Sequence, residues 1–328
     1  MVGSLLAQRA REAGYTVRAM VRPSSDQSTL AGSGVEIVQA DLSDPLSLPP
    51  AFEDVDYVVN TAAHVGDWGP AEKFRAINVV ALEHMIAACR RIGKLQRWIQ
   101  ISSLGVYAAK HHYGTDETIP PDLQGLDGYT QTKAEAEVVL NRHFQTHRFP
   151  TIQLRPGFIY GPGDRHVVPR IIERLQAGQM KLIGDGKKVL NNTAACNLVD
   201  GIMLALEKDG VVGETFNIRD GRLVTREEFV GTIAQFMGLP MPKKVPEWLA
   251  RSAVGLIEGF ARLRGAKQAP LLTGARIKFL ALNLDFSIAK AERMLGYDPK
   301  VDFREGMQAA LQWAVNQKLI QPAEMHRG

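Results

Sequence analysis

Apolar runs of strand-like character alternate with apolar stripes at helical spacing through the first half of this chain, and that alternation constrains the fold more than any single residue. Strand patterns are expected at residues 15–21, 35–38, 55–60, 97–102 and 151–154, and helical ones at 3–13, 44–52, 71–92 and 128–147. Alternating strands and helices are the pattern of a parallel sheet covered on both faces, because parallel strands need a crossover and a helix supplies it. Beyond Gly161 the pattern loosens into Pro and Gly breaks, with isolated strands expected at 180–183 and 215–218. Thr225-Arg-Glu-Glu228 is a capping box that opens a helix to Met237, and Ser287 opens another that Gly296 closes. The expected organisation is therefore an α/β unit over residues 1–160 and a smaller lobe over 161–328.

Composition excludes several classes. With 328 residues, 45% of them hydrophobic and 23% charged, the chain can bury one large α/β core or two unequal lobes. The net charge of +4 is spread among 35 acids without clustering, which does not imply nucleic-acid binding. Cys89 and Cys196 lack metal-ligand spacing, so neither a metal site nor a disulfide is expected, and a reducing compartment fits. No run of 18 apolar residues occurs and the first residues do not read as a signal peptide, so the expectation is a cytoplasmic chain that does not span a membrane.

The chemistry-bearing run is Tyr129-Thr-Gln-Thr-Lys133. A tyrosine four residues before a lysine shares one helix face with it, and an ammonium nearby favours the phenolate, while Ser103 upstream offers a hydroxyl partner. Alone this spacing also describes a solvated helix face. Its setting is more specific: Ser102-Ser103 ends the strand pattern Arg97-Trp98-Ile99-Gln100-Ile101, and Arg155-Pro156-Gly157-Phe158-Ile159-Tyr160-Gly161-Pro162 follows the next strand. Together these resemble the extended short-chain dehydrogenase/reductase superfamily, which includes sugar-nucleotide epimerases and 3β-hydroxysteroid dehydrogenases. The resemblance implies a Rossmann-like doubly wound sheet, a smaller C-terminal substrate lobe and a catalytic set of Ser103, Tyr129 and Lys133. In that set Tyr129 exchanges the hydroxyl proton, Lys133 holds the cofactor ribose and Ser103 hydrogen-bonds the reacting oxygen. Relatives commonly pair through the helix bearing the tyrosine, so a homodimer is implied as well.

The resemblance also implies a cofactor, NAD(P). A dinucleotide fold opens with a strand and a glycine-rich turn that brings pyrophosphate to a helix N-terminus. Met1-Val2-Gly3-Ser4-Leu5-Leu6 matches only the last third of the family's Gly-x-x-Gly-x-x-Gly opening, with Gly3 its last glycine. The expectation is that a strand and turn of about ten to twelve residues are missing. A miscalled start, a truncation or a cofactor-deficient relative would each account for it. Arg22 follows the second strand, where an arginine suits the 2′-phosphate of NADP and an acid suits NAD. Asp41 and Leu42 lie where relatives place an acid beside the adenine, though Asp41 could equally cap a helix. Ala62 and Ala63 let backbone pass near the phosphates. His64 beside them reads as packing more than catalysis. Asn78 either lies near the cofactor or braces the sheet, and Pro156 with Gly157 would wall the nicotinamide pocket.

Substrate class turns on departures from family patterns. Ser103-Leu104-Gly105-Val106-Tyr107 lacks the Thr-Asp-Glu of 4,6-dehydratases, and its serine stands four residues before a tyrosine as the family's catalytic serine does. After Gly184-Asp185-Gly186 comes Leu190-Asn191-Asn192-Thr193-Ala194, where epimerases carry an arginine that pairs with a diphosphate. That segment, with His64-Val-Gly-Asp67-Trp68 and Pro246-Glu-Trp248-Leu249, looks more like the bacterial 3β-hydroxysteroid dehydrogenase branch. The implied activity is hydride transfer between nicotinamide and a secondary alcohol or ketone of a hydrophobic, steroid- or isoprenoid-like small molecule. The rivals are a nucleotide-sugar epimerase, a reductase of small carbonyl compounds and a cofactor-free binding protein. Residues 248–263 have a periodicity compatible with an amphipathic helix that packs on the substrate lobe, lines an apolar entrance or touches a membrane surface.

Overall fold

A computed structural model describes residues 1–66, 68–165, 167–250, 252 and 280–322. Strands β1 (Arg18–Val21) and β2 (Glu36–Gln39) pair in parallel. β3 (Tyr57–Asn60), β4 (Arg97–Ile101), β6 (Thr151–Pro156) and β11 (Thr215–Ile218) form a second parallel sheet, in which β4 lies between β3 and β6 and β11 flanks β6. Smaller ladders build the lobe: β5 (His112–Thr115) with β14 (Leu284–Phe286), β7 (Phe158–Tyr160) with β10 (Asn192–Ala194), β8 (Leu182–Ile183) with β13 (Lys244–Val245), and β9 (Val189–Leu190) antiparallel to β12 (Val224–Thr225).

Successive side chains of β4 serve opposite faces, as strand geometry requires. Ile99 and Ile101 join Leu6 of α1 (Val2–Glu12) and Leu198 and Ile202 of α7 (Ala195–Glu207). Trp98 joins Leu82 and Ile86 of α4 (Ala81–Ile92) and Leu140 of α5 (Gly128–His147). Burying each of these large side chains contributes roughly 1.5–3 kcal/mol. A third cluster fills the lobe around Phe229 of α8 (Arg226–Phe236), Tyr160 and Phe303. The chain beyond residue 161 does not stay apart from the first unit, since α7 covers its sheet and β11 extends it.

The α/β expectation holds, and several boundaries move for identifiable reasons. The strand expected over 15–21 starts only at Arg18, because Gly14 closes α1 at φ 89° and the chain needs three residues to turn. The helix expected over 44–52 is broken into a 3-10 turn, Pro45–Ser47, and a single helical turn, α2 (Pro49–Phe52). Prolines at 45, 49 and 50 remove the amides a continuous helix requires. The helix expected over 71–92 runs as α3 (Ala71–Arg75), a π segment at Ala76–Val80, and α4. Helix α5 spans the residues expected of it, opened by the Asp127 carboxylate accepting from the Thr130 amide at 2.8 Å and closed by Arg148 in the left-handed region. Thr225 Oγ1 caps α8 by accepting from the Glu228 amide at 3.1 Å. The helix opened near Ser287 is Ala289–Leu295, with Gly296 at φ 73° ending it. Most of the 248–263 segment, and Asp67, lie outside the described residues.

Among the described residues β1 and β3 share no hydrogen bond, so each has one edge without a strand partner. Apart from Asn60 their residues are half-buried, whereas every residue of β6 is buried.

Candidate active site

In a parallel sheet every strand delivers its carboxyl end to the same edge, and ligands bind at that edge. Arg22 follows β1, Asp41 follows β2, Ala62 and Ala63 follow β3, Ser103 follows β4, and Pro156 with Gly157 ends β6. Parallel pairing within each sheet therefore gathers residues scattered from Arg22 to Gly157 onto the carboxyl edges.

At the centre, Ser103 begins a 3-10 turn, Leu104–Val106, and its Oγ accepts from the Gly105 amide at 2.9 Å. The same hydroxyl hydrogen-bonds the Tyr129 phenol on the first turn of α5. Burial pushes the Tyr129 phenol up to about 12, opposed by the Ser103 bond and reinforced by Asp127. This overturns the expectation that the lysine draws the phenol toward neutral acidity in the protein alone. Lys133 is buried one turn along and spends a proton on the Ile101 carbonyl at 2.7 Å. Burial lowers its ammonium to about 8, with the Glu137 carboxylate opposing that fall. At pH 7 the phenol therefore keeps its proton and the lysine remains mostly charged.

Around this centre the remaining residues fall into pairs. Asn78, in the π segment, accepts from the His64 amide at 2.8 Å and donates to the His64 carbonyl at 3.1 Å and to Thr132 Oγ1 at 3.0 Å. Its amide ties the loop after β3 to α5. The His64 ring packs on Phe74 at 4.6 Å, in keeping with a packing role. A Cβ on Gly3 would stand 3.2 Å from Thr61 Oγ1, so the first turn of α1 abuts the end of β3 as close helix–strand packing requires. A Cβ on Gly157 would fall 1.8 Å from the Asn191 carbonyl oxygen, so only glycine lets β6 pass the 190s segment there.

Arg22 and Asp41 end the separate two-stranded ladder. Asp41 accepts from the Ser43 amide and hydroxyl at 2.8 and 2.6 Å, bonds that lower its pKa with a smaller contribution from Arg22. Asp41 thus closes a local turn, and the cap of the helical turn after it falls to Asp44, whose carboxylate accepts from the Leu46 amide at 3.1 Å, while Leu42 packs toward the core beneath. No group of three metal-ligating side chains occurs among the described residues. One residue of the site carries no short motif, Glu137, the ion-pair partner of Arg155; its only sequence signal was an acid one helical turn beyond Lys133.

The placements fit a nicotinamide dinucleotide: a helix N-terminus packed tightly at the carboxyl edge, small residues after β3, and a buried ammonium beside a serine–tyrosine pair. Comparison with known proteins agrees. The chain is 31% identical over 319 residues to a 2-alkyl-3-oxoalkanoate reductase of Stenotrophomonas maltophilia, covering 93% of this chain and 94% of the relative. It is 30% identical over 331 residues to a 3 beta-hydroxysteroid dehydrogenase/Delta 5-->4-isomerase of Mycobacterium tuberculosis, covering 96% and 88%. Among solved structures, that of gox2253 superposes with a TM-score of 0.83 at 26% identity, covering 98% and 97% of the two chains. The UDP-glucose 4-epimerase of Thermotoga maritima superposes with 0.75 at 20% identity, covering 97% and 96%, a likeness of fold alone. A family model matches residues 1–218, and with its dehydrogenase and reductase relatives it makes this chain a nicotinamide-dependent oxidoreductase of the NAD dependent epimerase/dehydratase family.

Proposed function

We propose that this protein interconverts a ketone and a secondary alcohol on a hydrophobic small molecule, using Ser103, Tyr129 and Lys133. The observation that carries the reading is the Ser103–Tyr129 hydrogen bond one helical turn from a buried lysine. When bound, a nicotinamide cofactor would supply or accept hydride at the substrate carbon. Tyr129 donates its proton to the carbonyl oxygen in reduction and takes it back in oxidation, and a phenol that is protonated at neutral pH suits the reducing direction. Ser103 shares that oxygen and orients it. Lys133 has two further protons for the ribose hydroxyls.

A hydrophobic substrate is favoured by what the 190s segment lacks. Asn192 donates to Asp220 at 2.8 Å and to the Arg222 carbonyl at 3.1 Å, and Thr193 Oγ1 accepts from the Gly157 amide at 3.0 Å. These side chains are committed internally and carry no charge, so they cannot neutralise a diphosphate. Val65, in the loop after β3, and Leu123 and Leu126, in the segment leading to α5, are exposed apolar side chains on the loops that flank the site in the chain. Relatives named for alkyl-oxoalkanoate and steroid substrates point the same way. The test is dinucleotide turnover with a 2-alkyl-3-oxoalkanoate, a 3-ketosteroid and a UDP-sugar. Turnover is expected with one of the first two. Interconversion of UDP-sugars without net dinucleotide consumption would instead establish the epimerase reading.

NADP is the proposed cofactor form, resting on Arg22. Arg22→Asp exchanges a charge-assisted contact with the 2′-phosphate for repulsion, beside the acid already present at Asp41. The ratio of kcat/KM for NADPH over NADH is expected to fall by about tenfold or more, close to 1.4 kcal/mol per decade. An unchanged ratio removes Arg22 from the site.

A further inference from the structure

Beneath the catalytic helix lies a buried charged network that no step above uses. Glu137, 1% exposed, forms a two-pronged pair with Arg155, accepting from Nε at 2.9 Å and from Nη2 at 2.6 Å. Its Oε1 also accepts from Ser102 Oγ at 2.6 Å. The remaining arm of Arg155 donates to Tyr107 Oη at 2.7 Å, with the guanidinium carbon 4.8 Å from the centre of that ring. Tyr107 in turn donates to Asn217 Oδ1 at 2.9 Å. One carboxylate thus joins α5, the end of β4 and the end of β6, and Lys133 stands one helical turn before it on α5.

Such a pair is costly to bury for stability alone, since two apolar side chains of similar volume often serve as well. Its position gives it another use. Along α5 the ionisable groups one turn either side of Lys133 are Tyr129 before it and Glu137 after it, and Glu137 is the one whose charge acts on the ammonium, itself held by Arg155 of β6, which reaches on to Tyr107. Among these Glu137 is the sole carboxylate. Lys133 and Arg155 would otherwise be two buried cations without a counter-charge, and the lysine, unlike the arginine, can shed its proton.

We propose that Glu137 is a positioning residue for the site: clamped by Arg155 and Ser102, it supplies the negative charge that keeps buried Lys133 an ammonium and ties α5 to the strand end bearing Ser103. The inference rests on the reading of Lys133 as the group that holds the cofactor ribose, but its test does not depend on turnover.

The measurement is the pH titration of the Lys133 13Cε resonance, assigned by its loss in Lys133→Arg, in the protein without dinucleotide. In Glu137→Gln the midpoint is expected to fall by about one pH unit or more, as removal of a close opposite charge requires. In Tyr107→Phe, which removes an Arg155 contact and no charge, it is expected to stay in place. Should Glu137→Gln fail to fold, the paired change Glu137→Leu with Arg155→Met removes both charges, and a lowered midpoint is expected there too because the carboxylate is the nearer neighbour on the helix. The alkaline limb of the dinucleotide-binding profile should move down with the midpoint. A Lys133 midpoint that is unchanged in either folded variant overturns the proposal, even if Tyr129 and Lys133 prove essential for turnover. A lowered midpoint in a protein without dehydrogenase activity would uphold the charge relation and sink the catalytic reading alone.

Discussion

Tyr129→Phe should reduce turnover by at least a hundredfold while leaving the dissociation constant for NADPH within about twofold. A hundredfold loss corresponds to roughly 2.7 kcal/mol in the barrier, within the range that a positioned proton donor supplies. Phenylalanine keeps the ring that fills the first turn of α5 and deletes only the hydroxyl that meets Ser103. Binding is therefore spared and the proton path is not. Lys133→Ala should damage both, because it removes the ammonium proposed to hold the ribose and opens a cavity at a position only 4% exposed. The measurements are steady-state kinetics and a fluorescence titration of NADPH with each variant. If Tyr129→Phe retained more than about a tenth of activity, the proton route through this phenol would be wrong.

The contrast between Tyr129 and its neighbours shows what a sequence can carry. Spacing placed Tyr129 and Lys133 on one helix face, and the helix forms over those residues because Asp127 caps one end and Arg148 closes the other. Strand ends were legible for the same reason: in an alternating pattern each apolar run stops where its carboxyl edge begins, so Ser103 and Pro156 could be placed before any coordinates. Acidity was not legible. Whether a phenol is drawn down by a lysine depends on burial and on where the ammonium points, and here Lys133 reaches the Ile101 carbonyl while burial raises Tyr129.

Long-range polar networks were hidden more completely. Glu137 and Arg155 are 18 residues apart, Arg155 and Tyr107 are 48, and Tyr107 and Asn217 are 110. None of these separations has a local signature. The π segment around Asn78 was equally invisible, since its residues read as a continuation of the helical stripe. Its widened turn carries the amide that pins His64, a placement typical of such segments near functional sites. Prolines at 45, 49 and 50, by contrast, were in plain view, and the broken helix there follows from giving them their full weight over an apolar stripe.

The largest structural effect is expected from supplying a strand between β1 and β3. Both strands lend side chains to one cluster, Met20 from β1 and Val58 from β3, and Tyr15, three residues before β1, meets Tyr57, the first residue of β3, edge to face at 6.1 Å. Yet among the described residues β1 pairs only with β2 and β3 only with β4. Each free edge leaves amides and carbonyls that a parallel neighbour could satisfy, at about 0.5–1.5 kcal/mol net per hydrogen bond. An apolar strand joined to Gly3 through a Gly-x-x-Gly turn would pair both edges and place backbone amides ahead of α1, where an anion is best held. A version of the chain carrying such a segment of about ten to twelve residues ahead of Met1 is expected to melt on the order of 5 °C or more higher and to bind NADPH at least about tenfold tighter. A Gly-Ser extension of equal length, which can neither bury apolar surface nor form the turn, is the control and should change neither quantity. Thermal melts and NADPH fluorescence titrations on the three proteins decide the matter. Equal affinity and equal melting temperature with the apolar strand attached would mean that the two edges do not form a strand-accepting slot, and that the dinucleotide contacts must be sought away from the β1–β3 junction.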